Sequence, residues 1–245
     1  MITSFTDIMN ELHTVGFDGN IMLIYGSYVH YKQSGGITHS PNDVDIMTTP
    51  SNKYAPGEYT VNLKCVNVPV NVNVMTVEQI VAEISRGEMK YYSAEWAISD
   101  YNSFTSLSTY IEWMKSLSDK PLHWHRSAVS SAADKAFNKG KKKLTVLDDY
   151  DKELGLKNLH HSVCFPLIAK IFILDSDAQT DEDYIQKAER TDNMHLRMAS
   201  FWEDLNELYD STEGSLEDKA KVVVQFAKKV YNSTMTEFRK DFPKE

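Results

Sequence analysis

An α/β (α+β) fold is what this sequence predicts: a small sheet domain over residues 1–85, followed by an all-helical domain over residues 86–245. Three observations predict it. Short β-branched runs with period two recur between residues 21 and 75. From Thr76 onward the apolar spacing becomes helical and stays so. The last two helical stretches are long and amphipathic, which favours a bundle. The chain has 245 residues, 42% hydrophobic and 25% charged, an ordinary globular composition with room for one large domain or two small ones. No internal repeat and no low-complexity linker is present, so the junction near residues 80–90 is expected to be a packed one.

The elements follow in order. Residues 1–13, MITSFTDIMNELH, read as an amphipathic helix with Ile8, Met9 and Leu12 inward and Gly16 just past its end. The apolar run 21–25 reads as a buried strand that stops at Gly26-Ser27, a small-residue turn leading into a helix start. Residues 33–41 are rich in Gly and Ser and read as a loop. Asp43 and Asp45 then lie two apart inside a second apolar run, so they project side by side from a strand while Val44 and Ile46 face the core. Residues 59–65 and 70–75 are two further strands, with Pro69 at a turn or strand start. In the second of them Val70, Val72 and Val74 alternate with Asn71 and Asn73.

Thr76 and Gln79 form a capping-box pattern, which puts Glu78 in the first turn of a helix. Its apolar stripe is Val77, Ile80, Val81 and Ile84, closing near Gly87. Further helices are expected over 94–98, 107–117, 125–137, 157–174, 181–208 and 216–238, with Gly140 as a breaker and Pro166 as a kink.

No apolar run approaches the roughly 20 residues that span a bilayer. The first residues lack the basic start and apolar core of a secretory signal. Cys65 and Cys164 are far apart in apolar runs and read as thiols of a reducing compartment, and no Cys/His zinc spacing is present. The expectation is a soluble, cytoplasmic protein without a membrane partner. The net charge of −9 argues against a general nucleic-acid binder. The charge is uneven, however. Residues 120–143 hold seven Lys/Arg against one acid, and residues 175–218 hold fourteen Asp/Glu against three Lys/Arg. The basic stretch suits a polyanion such as a triphosphate or an RNA end, or is a solvated helix end. The acidic stretch reads as solvated helix faces.

Two carboxylates held side by side repel each other unless a cation sits between them. A hard divalent ion bound through carboxylates and phosphate oxygens is the natural occupant. The order of apolar strand, Gly26-Ser27, and an Asp43-x-Asp45 strand resembles the active-site signature of the polymerase-β-like nucleotidyltransferase superfamily. The resemblance covers roughly residues 20–50. It implies a small mixed-sheet nucleotidyltransferase domain in which Gly26 and Ser27 approach nucleotide phosphates. Asp43 and Asp45 would bind Mg²⁺ or Mn²⁺, with an NTP as substrate. The superfamily sets a third acid on a later strand, and here both candidates are amides. Asn73 is favoured over Asn71 for that place, so the catalytic and metal set is Asp43, Asp45 and Asn73, with Glu78 as a substitute ligand. A carboxamide carries no charge and cannot serve as a general base.

The helical half resembles a group of bacterial and phage-borne nucleotidyltransferases of uncertain substrate. Lys157 and His161 match a Lys-x-x-x-His element, and Glu95 matches an acidic residue. The Arg that often follows the His is replaced by Val163-Cys164-Phe165. Lys157 and His161, four apart, share a helix face. They are either phosphate contacts or a snorkelling Lys beside a satisfied His; His160 lies on another face. Arg126 heads the basic helix as a phosphate contact. His123 and His125 flank Trp124 without a third metal ligand nearby, and the Trp residues read as packing groups.

Two functions follow. The first is a metal-dependent enzyme that moves an NMP from an NTP to an acceptor hydroxyl on an RNA end, a protein or a small molecule. The second is a catalytically weak or silent nucleotide or RNA-end binder, or a partner-binding scaffold. An unrelated α/β domain with a chance motif is a third reading. Acceptor, base preference and oligomeric state are not legible in the sequence.

Overall fold

The alternation of residues 70–75 becomes the strand β4, Val70–Val74, whose three valines are buried while Asn71 and Asn73 lie at intermediate exposure. The computed structural model describes residues 4–33, 36, 40–91, 95–97, 116, 125–145, 149–177 and 181–242. The chain divides into two units, Met1–Pro121 and Leu122–Glu245.

In the first unit β4 joins β1 (Met22–Tyr25), β2 (Val44–Thr48), β3 (Gly57–Val61) and β5 (Glu95–Ala97) in one sheet of order β3-β4-β2-β1-β5. β2 and β4 run parallel, and the other pairs are antiparallel, so the sheet is mixed. One face carries Met22, Ile24, Val44, Ile46, Val70, Val72 and Val74. They form a core with Ile8, Met9 and Leu12 of α1 (Phe5–Val15) and with Tyr28 and Val29 of α2 (Ser27–Gln33). Helix α1 has the expected inward residues and ends at Gly16, whose φ of +103° is the left-handed cap that glycine supplies without strain.

β3 starts and stops earlier than the expected 59–65. The Glu11 carboxylate accepts from the amides of Lys64 and Cys65 at 2.7 and 2.9 Å, which satisfies donors that a longer ladder would have used. Helix α3 (Val77–Arg86) has the capping box of Thr76 and Gln79, and Gly87 closes it at φ +70°. Its buried stripe is narrower than expected: Ile80 and Ile84 are inside, whereas Val77 is 43% exposed.

Within the stretch 94–98, expected to be helical, residues 95–97 are instead the edge strand β5. It pairs with β1, a buried strand whose backbone groups need partners on both sides. For the same reason the sheet unit continues past the expected boundary at 85/86. Of the helix expected over 107–117 only Ser116 is described, and it is helical; the side chains of His123, Trp124 and His125 lie outside the described residues.

The second unit is built from α4 (His125–Leu144), α5 (Asp149–Asp177), α6 (Asp181–Ser211) and α7 (Leu216–Asp241). Helix α4 runs straight through Gly140, which is no breaker. A Cβ there would stand 2.7 Å from the amide nitrogen of Leu159 and 2.8 Å from the carbonyl of Gly155. Gly140 and Gly155 therefore let two helix backbones approach, a packing role that a lone sequence does not distinguish from a stop. Helix α5 likewise runs through Pro166. The acidic residues Glu203, Asp204, Glu207, Asp210, Glu213, Glu217 and Asp218 are exposed, as expected of solvated faces. No helix among the described residues is long and apolar enough to cross a membrane.

Candidate functional site

Four strands bring four polar side chains into one row. Tyr25 ends β1 opposite Asp45 of β2, Asp45 stands opposite Asn71 of β4, and Asn71 stands opposite Thr60 of β3. Because side chains alternate along a strand, these residues share the face that does not hold the valine core. Asp43 lies one residue ahead of β2 rather than within it. The Asn71 amide Nδ2 nevertheless reaches it and donates to Asp43 Oδ2 at 2.9 Å. On its other side Asn71 Oδ1 accepts from the Thr60 hydroxyl at 3.1 Å. The carboxamide is thus oriented by the Asp43 carboxylate, which only accepts, while the Thr60 hydroxyl pairs with its other end. A cleft of about 460 Å³ opens here, lined by Tyr25, Asp45, Glu58, Tyr59, Thr60, Asn71, Val72 and Asn73.

The register decides between the two asparagines. Asn71 stands against Asp45 and bonds Asp43, whereas Asn73 stands against Met47 and Glu58, one step farther along the strand. Asn73 lines the cleft, but Asn71 is the amide beside both carboxylates. Parallel pairing of β2 with β4 sets this register, and nothing in either strand read alone announces it.

Gly26 lies against Asp45. Its φ is +83°, and a Cβ at this position would come within 2.7 Å of Asp45 Oδ2. The residue that turns β1 into α2 favours glycine for its conformation, and a Cβ there would press the Asp45 carboxylate to shift. Ser27, the first residue of α2, is buried.

The electrostatics of the cleft are acidic. Burial, followed by Asp45, Glu83, Glu58 and Asp43 in decreasing order, raises the Tyr25 hydroxyl far above its ordinary range, so it remains a protonated donor. The Lys90 ammonium sits 5.7 Å from the centre of the Tyr25 ring, but it is engaged by Glu83 at 2.7 Å. Glu83 also accepts from the Tyr91 hydroxyl at 2.9 Å. Among the described residues no three His, Cys, Asp or Glu side chains converge as a metal-ligand group. Asp43 and Asp45 fit a different arrangement, in which Mg²⁺ takes one or two carboxylates and completes its shell with phosphate oxygens and water.

The remaining candidates fall elsewhere. Glu78 is exposed in the first turn of α3, where the Thr76 hydroxyl holds its carboxyl below the usual range; this is capping chemistry. Glu95 lies in β5 at the register position opposite Ile24. Arg126, Lys157 and His161 belong to the helical unit. His161 is half-buried and stacks on Phe165, one helical turn away, at 5.4 Å between ring centres. Lys157 is half-buried on the same helix. Arg126 is half-buried, and its Nη1 has no hydrogen-bond partner among the described residues. Lys135, Lys139, Lys141 and Lys142 of the basic helix are exposed, and Lys143 pairs with Asp151 at 2.5 Å.

His160 is a structural residue. It is buried, bonded through Nε2 to the Met198 carbonyl at 2.8 Å, and packed against Phe201 and Trp202. Burial lowers its pKa to about 4.

Sequence reasoning missed Tyr25, Glu58 and Thr60. The signal for the last two was the polar-apolar alternation of GEYTV, which begins two residues before the strand expected there.

No protein-family model matches the chain, and no curated protein is similar to it. Among solved structures the chain is similar to a nucleotidyltransferase-like protein from Exiguobacterium sibiricum. The identity is 10% over 94% of this chain and 78% of that one, and the TM-score is 0.30, a likeness too loose to assign an activity.

Proposed function

We propose that the cleft on the polar face of the sheet is the site of a metal-dependent nucleotidyltransferase. The observation that supports this most is the convergence of Gly26, Asp43 and Asp45. A glycine with a left-handed backbone, set against the Asp45 carboxylate, ends one strand, and a carboxylate pair lies beside it at the mouth of the next. In this reading Asp43 and Asp45 hold one Mg²⁺ or Mn²⁺ together with the phosphates of an NTP. The ion, when bound, supplies the positive charge that lets a triphosphate approach an acidic cleft and orients it there. Gly26 keeps the approach to the phosphates open, and Ser27 offers a hydroxyl at its edge. The acceptor's oxygen would bond to the α-phosphorus as the bond to the β-phosphate breaks and pyrophosphate leaves. An RNA end, a protein or a small molecule would supply that oxygen. Arg126, Lys157 and His161 are proposed phosphate or acceptor contacts, and a cytoplasmic location accords with a substrate made there.

Asn71 favours a second reading. The amide next to both carboxylates cannot take the proton of an attacking hydroxyl. A protein that binds nucleotide or an RNA end and transfers slowly or not at all is what that substitution would leave.

A thermal-shift panel tests the first step shared by both readings. It uses ATP, GTP, CTP and UTP, with and without Mg²⁺, on the wild type and Asp45→Ala. A ligand at about 100 times its Kd stabilises the native state by roughly 2.7 kcal/mol. A Mg²⁺-dependent shift that disappears in Asp45→Ala supports the site. The absence of any shift in the wild type would overturn it. Incorporation of α-phosphate label into RNA or protein then separates transfer from binding.

A further inference from the structure

We propose that Asn71 makes this a site for a single divalent cation, by occupying with an N–H donor the flank of Asp43 that a second cation would otherwise use. The inference rests on the reading of Asp43 and Asp45 as a metal–nucleotide site and deepens it: the ligand is a nucleoside triphosphate with one metal ion.

Three observations carry it. Asn71 stands in register with Asp45, so its side chain rises beside that carboxylate from the neighbouring strand. Its Nδ2 donates to Asp43 Oδ2 at 2.9 Å, so one carboxylate oxygen is already satisfied by a neutral donor. Its Oδ1 accepts from the Thr60 hydroxyl at 3.1 Å, on the side away from Asp43.

Turning the amide around would set its oxygen against the Asp43 carboxylate, whereas the Thr60 hydroxyl, a donor and an acceptor, accommodates either orientation. The Asp43 carboxylate, which only accepts, thus favours the orientation in which an N–H group, not oxygen, faces it. An N–H donor repels a cation, and the hydrogen bond uses acceptor capacity that a second metal would need. The described residues provide no third carboxylate to compensate, since no group of three His, Cys, Asp or Glu converges. Glu58, the other acid of the cleft, is in register with Asn73 rather than Asn71. Asn71 is therefore a positioning residue that sets metal stoichiometry.

Metal counting tests this without reference to turnover. Equilibrium dialysis of Mn²⁺ is run against the full chain in the presence of α,β-methylene ATP and its GTP, CTP and UTP counterparts. Free Mn²⁺ is read by electron paramagnetic resonance. One protein-bound Mn²⁺ per chain is expected for the wild type, two for Asn71→Asp and none for Asp45→Ala.

Two bound ions in the wild type would overturn the inference whether or not Asn71→Asp folds. One ion in both wild type and folded Asn71→Asp would also overturn it, while leaving the underlying metal–nucleotide site standing. No ion in the wild type would instead remove that underlying reading. The two failures are thus distinct.

Discussion

Polar residues on β4 and polar residues on α5 sit in similar sequence surroundings, apolar runs broken by amides and histidines, yet they end in opposite roles. On β4 the valines face the core, and Asn71 and Asn73 line an open cleft with Asp45. On α5 the polar groups Asn158, His160, Ser162 and Lys170 are buried, and each is satisfied locally or by a neighbouring element. Asn158 bonds the Leu154 carbonyl at 2.6 Å, and Ser162 the Leu159 carbonyl at 2.6 Å. Lys170 pairs with Asp241 at 2.5 Å. The difference teaches that a polar residue inside an apolar pattern is a site candidate when its strand face opens to solvent. When helices pack around it on several sides, it is a structural group with its hydrogen bonds already made.

The sharpest way to break this contrast is Asp45→Ala. It should remove all of the Mg²⁺–nucleotide stabilisation while leaving the unliganded protein within about 0.5 kcal/mol of the wild type, as expected for a half-exposed position. A large loss of intrinsic stability would make Asp45 a structural residue like those of α5.

His160 is the matching probe on the helical side. Its folded pKa, about 4, lies below the ordinary value of 6.5, so protons bind the unfolded chain more tightly. The stability it contributes is fully present above pH 6.5 and is lost as pH falls from there through 4. The linkage is worth up to about 3 kcal/mol across that window. His160→Gln keeps a donor for the Met198 carbonyl and does not titrate. Its melting temperature should fall less steeply than that of the wild type between pH 6.5 and 4, and identical slopes would show that His160 is not buried neutral.

Gly140→Ala carries a smaller effect whose sign discriminates. Helix propensity alone favours alanine by about 1 kcal/mol. The added Cβ would meet the backbone of Leu159 and Gly155 at 2.7 and 2.8 Å, atoms that cannot turn aside. A net destabilisation of roughly 1–3 kcal/mol is expected from overpacking. A rise in denaturant midpoint would mean that α4 and α5 do not approach there.

Gly26→Ala should cost about 1–2 kcal/mol, for a left-handed backbone at a residue with Cβ. It also pushes on Asp45, so nucleotide binding should weaken beyond what the stability change accounts for. Unchanged binding in a folded Gly26→Ala would separate the turn from the site.

The first unit was largely legible because strand alternation is a local code. Val70, Val72 and Val74 against Asn71 and Asn73, the cap at Gly16 and the capping box of Thr76 all follow from spacing within a few residues. Legibility ended where the answer lay in another element. Glu95–Ala97 is a strand because β1 needs an edge partner, although three residues cannot signal it. The order Gly26-Ser27 then Asp43-Val44-Asp45 was enough to locate the carboxylates, but the choice of Asn71 over Asn73 needed the register of two parallel strands joined by a distant connection. Gly140 reads as a stop in one dimension and as a contact between helices in three.

The sequence by itself therefore determined which faces are apolar, where α1 and α3 begin and end, and that Asp43 and Asp45 lie at the edge of a buried strand. Periodicity and capping are properties of neighbours in the chain. Only the tertiary structure decided which amide stands beside those carboxylates and that Gly26 lies against the Asp45 carboxylate. It also decided which histidine of α5 is enclosed. Each of those is a distance between residues far apart in the chain, fixed by strand register and helix packing, and no local pattern encodes it.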